Sequence, residues 1–166
     1  MRSCVKTLAG LAALVLLANC TALPPTVEMP SRAATPAPEP AAAPVPRADL
    51  ACLAEAIYFE ARGTGASGQT AVANVVVNRS ASPKFPSSVC GVVADGCQFS
   101  YRCDGRPDHL ANPDDRARAF RVAEAVLTGA GDITSGALFF HAASAAPGWF
   151  ATRPRVGEIG GNVFYR

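Results

Sequence analysis

Glu55 and Glu60 share one short, otherwise apolar stretch, AEAIYFEARGTG at residues 54–65. A carboxyl group can act as a general acid when desolvation raises its pKa enough to keep its proton near neutral pH. At about 100° per residue, Leu50, Leu53, Ile57 and Ala61 fall on one face of a helix. Glu60 follows Ile57 by three positions and Leu53 by seven, which places it on the rim of that apolar face, partly desolvated. Glu55 points nearly opposite, near Phe59 and Arg62, and reads as a solvated or ion-paired acid. The small residues that follow Glu60, GTGASG, leave open space beside it. The competing reading of Glu60 is a buried glutamate satisfied by a backbone group or an arginine.

The elements that must hold these acids can be read along the chain. Asp49 is placed to cap a first helix running to about Arg62, with Gly63 as its stop. Ser67 to Arg79 carries Ala71, Val72, Val75 and Val76 at helical spacing, although its valines suit a buried strand as well. Ser82-Pro83 and Phe85-Pro86 break the chain, Ser87 to Val93 suits a short helix, and Gly96 to Asp108 reads as a loop. Asn112-Pro113-Asp114-Asp115 is a strong helix start, with a cap, a proline at the first position and acids in the first turn. That helix carries Phe120, Ala123 and Leu127 inward and stops at Gly129. Ala137 to Ala142 suits a strand, and Val156 to Ile159 and Val163 to Tyr165 flank Gly160-Gly161-Asn162 as a hairpin. The expected fold class is α+β, mainly helical with a small antiparallel sheet.

The N-terminal part reads differently. Arg2 and Lys6 precede an apolar run, Leu8 to Ala18, of about a dozen residues, too short to span a bilayer and typical of a secretory signal. Leu17-Ala18-Asn19-Cys20 is similar to a lipoprotein processing box, with Cys20 as the residue to be lipidated and Asn19 a departure from the small residue usual there. Eight of the fourteen prolines lie between Leu23 and Pro46. Such a composition favours extended polyproline II over a packed core, and its 24 residues reach roughly 70 Å. The expected organisation is therefore a signal at 1–20, a Pro/Ala-rich tether at 21–48 and a domain at 49–166. The chain is expected to be exported, and either periplasmic or membrane-anchored through Cys20.

Residues 49–166 hold eleven Lys plus Arg against eleven Asp plus Glu, with no basic run, so no nucleic-acid partner is expected. Arg116, Arg118 and Arg121 read as a solvated helix face. Cys52, Cys90, Cys97 and Cys103 remain in the domain, and an oxidising compartment makes two disulfides the default. Four cysteines allow three pairings. Cys97 and Cys103 enclose QFSYR, a loop short enough for a bridge to close, which leaves Cys52 with Cys90. There is no Cys-x-x-Cys pair, and His109 and His141 are far apart, so neither a zinc site nor any other metal or cofactor is expected.

The segments CLAEAIYFEARG, GQTAVANVVVNR, FPSSVCGVV, CQFSYRCDG, ALFFHA and GGNVFYR occur in that order from Cys52 to Arg166. Together they resemble the SleB-type, spore-cortex-lytic cell wall hydrolase family. The resemblance implies a fold similar to lysozyme and lytic transglycosylases, peptidoglycan glycan strands as substrate, and Glu60, in the EARG motif, as the catalytic residue. Many members carry a second glutamate where this chain has Thr64, and a histidine where it has Asn162.

Cleavage between N-acetylmuramic acid and N-acetylglucosamine needs a proton for the leaving oxygen and support for an oxocarbenium-like centre. Ordinary glycosidases use two carboxylates for this. A lytic transglycosylase manages with one, which this sequence favours, because no acid other than Glu60 has an apolar setting. Asp104 is the best second carboxylate if water is the acceptor instead. Gln98 and Ser100 are candidates to hydrogen-bond the sugars, His141 to touch substrate or to serve the core, and Tyr101 and Trp149 to stack on sugar faces. Tyr165 reads as packing. The rival classes are an N-acetylmuramoyl-L-alanine amidase and a non-catalytic glycan-binding module.

Overall fold

The computed structural model describes residues 44–145 and 147–166. The expected signal segment, Cys20 and most of the expected tether lie outside the described residues. Four α-helices, two 3-10 turns and three strands follow in the order α1 (Arg47–Glu60), α2 (Gly65–Ser80), α3 (Val89–Val93), a first turn (Ser100–Cys103), α4 (Pro113–Leu127), β1 (Phe139–Ala142), a second turn (Gly148–Thr152), β2 (Arg155–Ile159) and β3 (Asn162–Tyr165).

Helix α2 is the hinge of the architecture. Val72, Ala73 and Val76 pack into one core with Leu53, Ile57 and Ala61 of the α1 segment and Ala119 and Ala123 of α4. On its other side Ala71 and Val75 meet Ala137 and Phe164 beneath the sheet. A helix covered on both sides loses the polar stripe that marks an amphipathic helix, which is why its valines also suit a buried strand.

Helix α4 starts as its sequence requires. Asn112 Oδ1 accepts the backbone N–H groups of Asp114 and Asp115, each at 3.0 Å, with Pro113 at the first position. Ala119, Ala123 and Val126 are its fully buried face, while Phe120 and Leu127 pack against the core half-exposed. Helix α1 differs from expectation at both ends. It starts at Arg47 behind Pro46, and Asp49 lies in the first turn without capping. Proline brings the right φ to a helix entrance, and an acid in the first turn complements the helix dipole without capping. The helix ends at Glu60, before Arg62, so Glu60 is its last helical residue.

The sheet is antiparallel throughout, in the order β1-β3-β2, with a register irregularity between Arg155 and Gly157. Gly160 and Gly161 form the β2–β3 turn with φ of 58° and 77°, the left-handed pair that a tight hairpin demands. Asn162 is already the first residue of β3. This turn lies directly on α2: a Cβ on Gly160 would sit 2.5 Å from the Cα of Gly68. Two disulfides, Cys52–Cys90 and Cys97–Cys103, tie α1 to α3 and close the loop before α4.

Candidate active site

Glu60 is half-buried at the C-terminus of α1. Burial raises its pKa, and the charge of Arg79 lowers it in part. Among the described residues no cation lies within ion-pair distance of its carboxyl. The reason is visible in how Arg79 is held. Arg79 is 6% exposed, its Nε donates to the carbonyl of Leu138 at 2.8 Å, and its guanidinium lies 5.2, 5.7 and 6.0 Å from the ring centroids of Phe85, Phe99 and Phe139. Rings and a backbone carbonyl therefore fix this cation, while Glu60 feels its field without being locked by it. Burial lowers the Arg79 pKa to about 10, against the opposing pull of Asp95 and Glu60, so it stays charged at neutral pH.

Glu55 is ion-paired, but not with a neighbour on its helix. Arg102, from the first 3-10 turn, reaches Glu55 at 3.1 Å and Asp108 at 2.9 Å. Arg62 instead donates to the Tyr58 hydroxyl at 3.4 Å and lies over that ring. The two glutamates of one helix are thus separated in role, one neutralised by a cation and one left desolvated.

Tyr101 is buried, with its ring stacked on Phe59 at 4.4 Å and 19°. This corrects the expectation that Tyr101 offers its face to a sugar, since that face is spent on core packing. Its hydroxyl is a different matter. It forms no strict hydrogen bond, but the Glu55 carboxylate is its nearest acceptor and is close enough to favour the protonated form. Burial, then Glu55 and more weakly Glu60, push the Tyr101 pKa far up, so it remains a protonated donor.

A cleft of about 310 Å³ opens beside Arg79, lined by Arg79, Gln98, Phe139, Phe140, Trp149 and Arg153. Two of the candidates named from sequence, Gln98 and Trp149, meet here. Trp149 is 42% exposed, which leaves ring surface for a sugar. Gln98 donates to Asp95 at 2.7 Å. Ser100 is exposed at the start of its turn and is not part of the cleft wall. His141 is engaged at both nitrogens: Nδ1 donates to the carbonyl of Ala142 at 2.8 Å, which leaves Nε2 of the neutral ring to accept the Tyr165 hydroxyl at 3.1 Å. Its ring stacks on Tyr165 and meets Phe150 and Trp149, so it braces the turn that carries Trp149 and does not line the cleft. Asp104 is exposed and accepts the backbone N–H of Arg106 at 2.8 Å. Thr64 donates to the carbonyl of Ala61 at 2.7 Å, fixing the link between α1 and α2. Asn162 is buried with its side-chain nitrogen unpartnered.

Arg79 and Arg153 escaped the sequence reading, as did the β1 phenylalanines as cleft wall. Position offered a signal for Arg79, which follows Val72, Val75 and Val76 by seven, four and three residues and so lies on the buried side of α2.

The cell wall hydrolase family matches residues 63–165, the greater part of the chain. The chain belongs to the cell wall hydrolase family. Relatives within it include the spore cortex-lytic enzyme of Halalkalibacterium halodurans, 36% identical over 116 residues, which span 70% of this chain and 34% of that protein. That of Bacillus subtilis is 38% identical over 119 residues, 70% of this chain and 37% of the relative. This chain thus spans between a third and two fifths of the length of these relatives. Among solved structures it is similar to the catalytic domain of the germination-specific lytic transglycosylase SleB from Bacillus anthracis, with a TM-score of 0.64 and 31% identity over 75% of this chain and all of that one. The catalytic domain of Bacillus cereus SleB gives 0.63 and 30%, over 78% of this chain and all of that one. The expected fold, mainly helical with a small antiparallel sheet and shared with a lytic transglycosylase domain, stands.

Proposed function

We propose that this cell wall hydrolase domain cleaves peptidoglycan glycan strands between N-acetylmuramic acid and N-acetylglucosamine as a lytic transglycosylase. Glu60 is the single acid and base. The observation that carries the reading is a half-buried carboxyl with a raised pKa and no ion-pair partner among the described residues. Membership of the cell wall hydrolase family and likeness to a solved lytic transglycosylase domain support the substrate and reaction class.

In this reaction protonated Glu60 gives its proton to the glycosidic oxygen, and the C1–O bond breaks. The positive charge that builds at C1 is met by the sugar's own N-acetyl oxygen, in place of a second carboxylate. Glu60, now a carboxylate, takes the proton of the muramoyl 6-hydroxyl, whose oxygen attacks C1 and closes a 1,6-anhydro ring. Arg79 steadies the transient carboxylate through its field, because it stands near without a direct pair. Trp149 and Gln98 hold sugar rings in the cleft.

The test is digestion of purified sacculi with product analysis by mass spectrometry. Wild-type protein yields 1,6-anhydromuropeptides, and Glu60→Gln, folded, yields none. Normal digestion by that variant rejects Glu60. Reducing-end products reject transglycosylation in favour of hydrolysis, and free stem peptides on intact glycan establish the amidase instead. We extend the proposal to export through residues 1–20 and membrane anchoring at Cys20, with 21–48 as a tether toward the wall. The intact mass of the mature protein tests it: a diacylglyceryl adduct on Cys20 supports anchoring, and an unmodified chain cleaved nearby rejects it.

A further inference from the structure

The cleft beside Arg79, the cation whose charge reaches Glu60, contains a charge arrangement that glycan cleavage alone does not require. Its wall holds two cations, Arg79 and Arg153, and no acid. Both guanidiniums lie over the same ring, Arg153 at 3.5 Å and Arg79 at 6.0 Å from the centroid of Phe139. Arg153 also lies 5.7 Å from the Trp149 ring, and its Nε is buried without a hydrogen-bond partner. Neither arginine has an acid within ion-pair distance among the described residues. The acids that Arg79 feels, Asp95 and Glu60, are outside the cleft wall, and Asp95 is occupied by Gln98.

Two like charges brought to one phenyl ring repel each other, and partial burial sharpens the repulsion. A guanidinium stacked on an aromatic face turns its N–H edge away from the ring, the edge that fits a carboxylate in bidentate fashion. The polysaccharide backbone of N-acetylated amino sugars is neutral. The anionic groups of peptidoglycan are carboxylates on the arm at carbon 3 of muramic acid: the lactyl carboxylate itself when the stem peptide is absent, and the stem's own carboxylates when it is present.

We propose that Arg153, backed by Arg79, forms a carboxylate subsite that selects the muramic acid arm and so places the muramoyl residue, and not N-acetylglucosamine, beside Glu60. This rests on the proposed glycan-strand reading. Phe139 and Trp149 supply the apolar floor of the subsite, and Arg79, rigidly held by Leu138, keeps the local potential positive.

The test measures binding by full-length protein carrying Glu60→Gln to three strand preparations of equal length. One keeps its stem peptides, one is stripped to the lactyl carboxylate, and one is stripped and then has that carboxylate converted to the amide. The protein with Arg153 intact should bind a carboxylate-bearing strand about tenfold more tightly than the amide, as expected for charge-assisted hydrogen bonding. Preference for the stripped carboxylate strand assigns the lactyl group, and preference for stem-bearing strands alone assigns the peptide. Arg153→Gln should abolish the preference and leave binding of the amide strand within about twofold, the change expected where no charged partner is lost. Arg153→Met, which keeps the packing on Phe139, should do the same, with a thermal melt showing the fold intact. Equal loss on all three strands, or no loss on any, overturns the subsite. Cleavage of the strands during the binding measurement would reject Glu60 and leave the charge preference readable by itself.

Discussion

The Glu60 carboxyl and the Arg79 guanidinium are neighbours that do not pair. Each shifts the other's pKa, yet no ion pair forms, because Arg79 is committed to the Leu138 carbonyl and to the rings of Phe85, Phe99 and Phe139. A pair would hold Glu60 ionised and useless as an acid. Distance without contact leaves burial as the stronger influence, and the acid keeps its proton to higher pH than an ordinary glutamate.

Under the proposed mechanism, in which protonated Glu60 starts the reaction, activity should fall on the alkaline side as pH rises through the raised Glu60 pKa. Glu60→Gln should cost about 10²- to 10⁴-fold in rate, the usual range for a general acid. Initial rates on sacculi across a pH series check both. An alkaline limb unchanged in position by Arg79→Lys but steepened by salt would point to substrate charge instead.

The same residue should lower stability at neutral pH. A carboxyl whose folded pKa is raised favours the fold while protonated, fully so below the unfolded pKa, and that contribution is lost as pH rises through the folded pKa. Glu60→Gln should then raise the melting temperature at pH 7 and change it little at pH 4. Paired thermal melts at the two pH values measure this, and an equal shift at both would show that ionisation is not the cause.

Tyr101→Phe removes a buried hydroxyl that makes no strict hydrogen bond and whose nearest acceptor, Glu55, is already paired with Arg102. Stability should hold or rise by about 1 kcal/mol, since nothing is left unpaired by the change. Loss of activity in a protein that melts no earlier would show that the hydroxyl serves substrate or Glu60. Full activity would reduce Tyr101 to packing against Phe59.

The two bridges should differ in worth. Cys52–Cys90 spans a sequence separation of 38 and Cys97–Cys103 one of 6. Loop-closure entropy gives roughly 4 kcal/mol for the longer and roughly 2 kcal/mol for the shorter. Chemical denaturation of the two double Cys→Ser variants should rank them so. The order for activity should reverse, because the short bridge closes the loop carrying Gln98 and Tyr101.

Much of this was legible in the chain. The Asn112 start of α4, the glycine hairpin and the short Cys97–Cys103 bridge follow from local chemistry that the rest of the fold does not override, and Cys52–Cys90 follows by elimination. The half-buried setting of Glu60 follows from its spacing to Ile57 and Leu53. Non-local partners were not legible. The cation that neutralises Glu55 stands 47 residues away, in a loop whose path no periodicity specifies. Spacing puts Arg79 on the buried side of α2, but not the Leu138 carbonyl and the Phe85, Phe99 and Phe139 rings that hold it there. Tyr101 was assigned to substrate because a loop aromatic looks available, and Phe59 covers it.

Where Gly160 rests against Gly68, strand turn and helix touch backbone to backbone. From that turn β3 leaves, and β1, with Phe139 and Phe140, pairs beside it. The spacing of sheet and helix at this seam is thus gauged by two residues that have no side chains. A single methyl on Gly160 would press into the helix backbone, and one on Gly68 would strike Thr64 first, so neither backbone could keep its place.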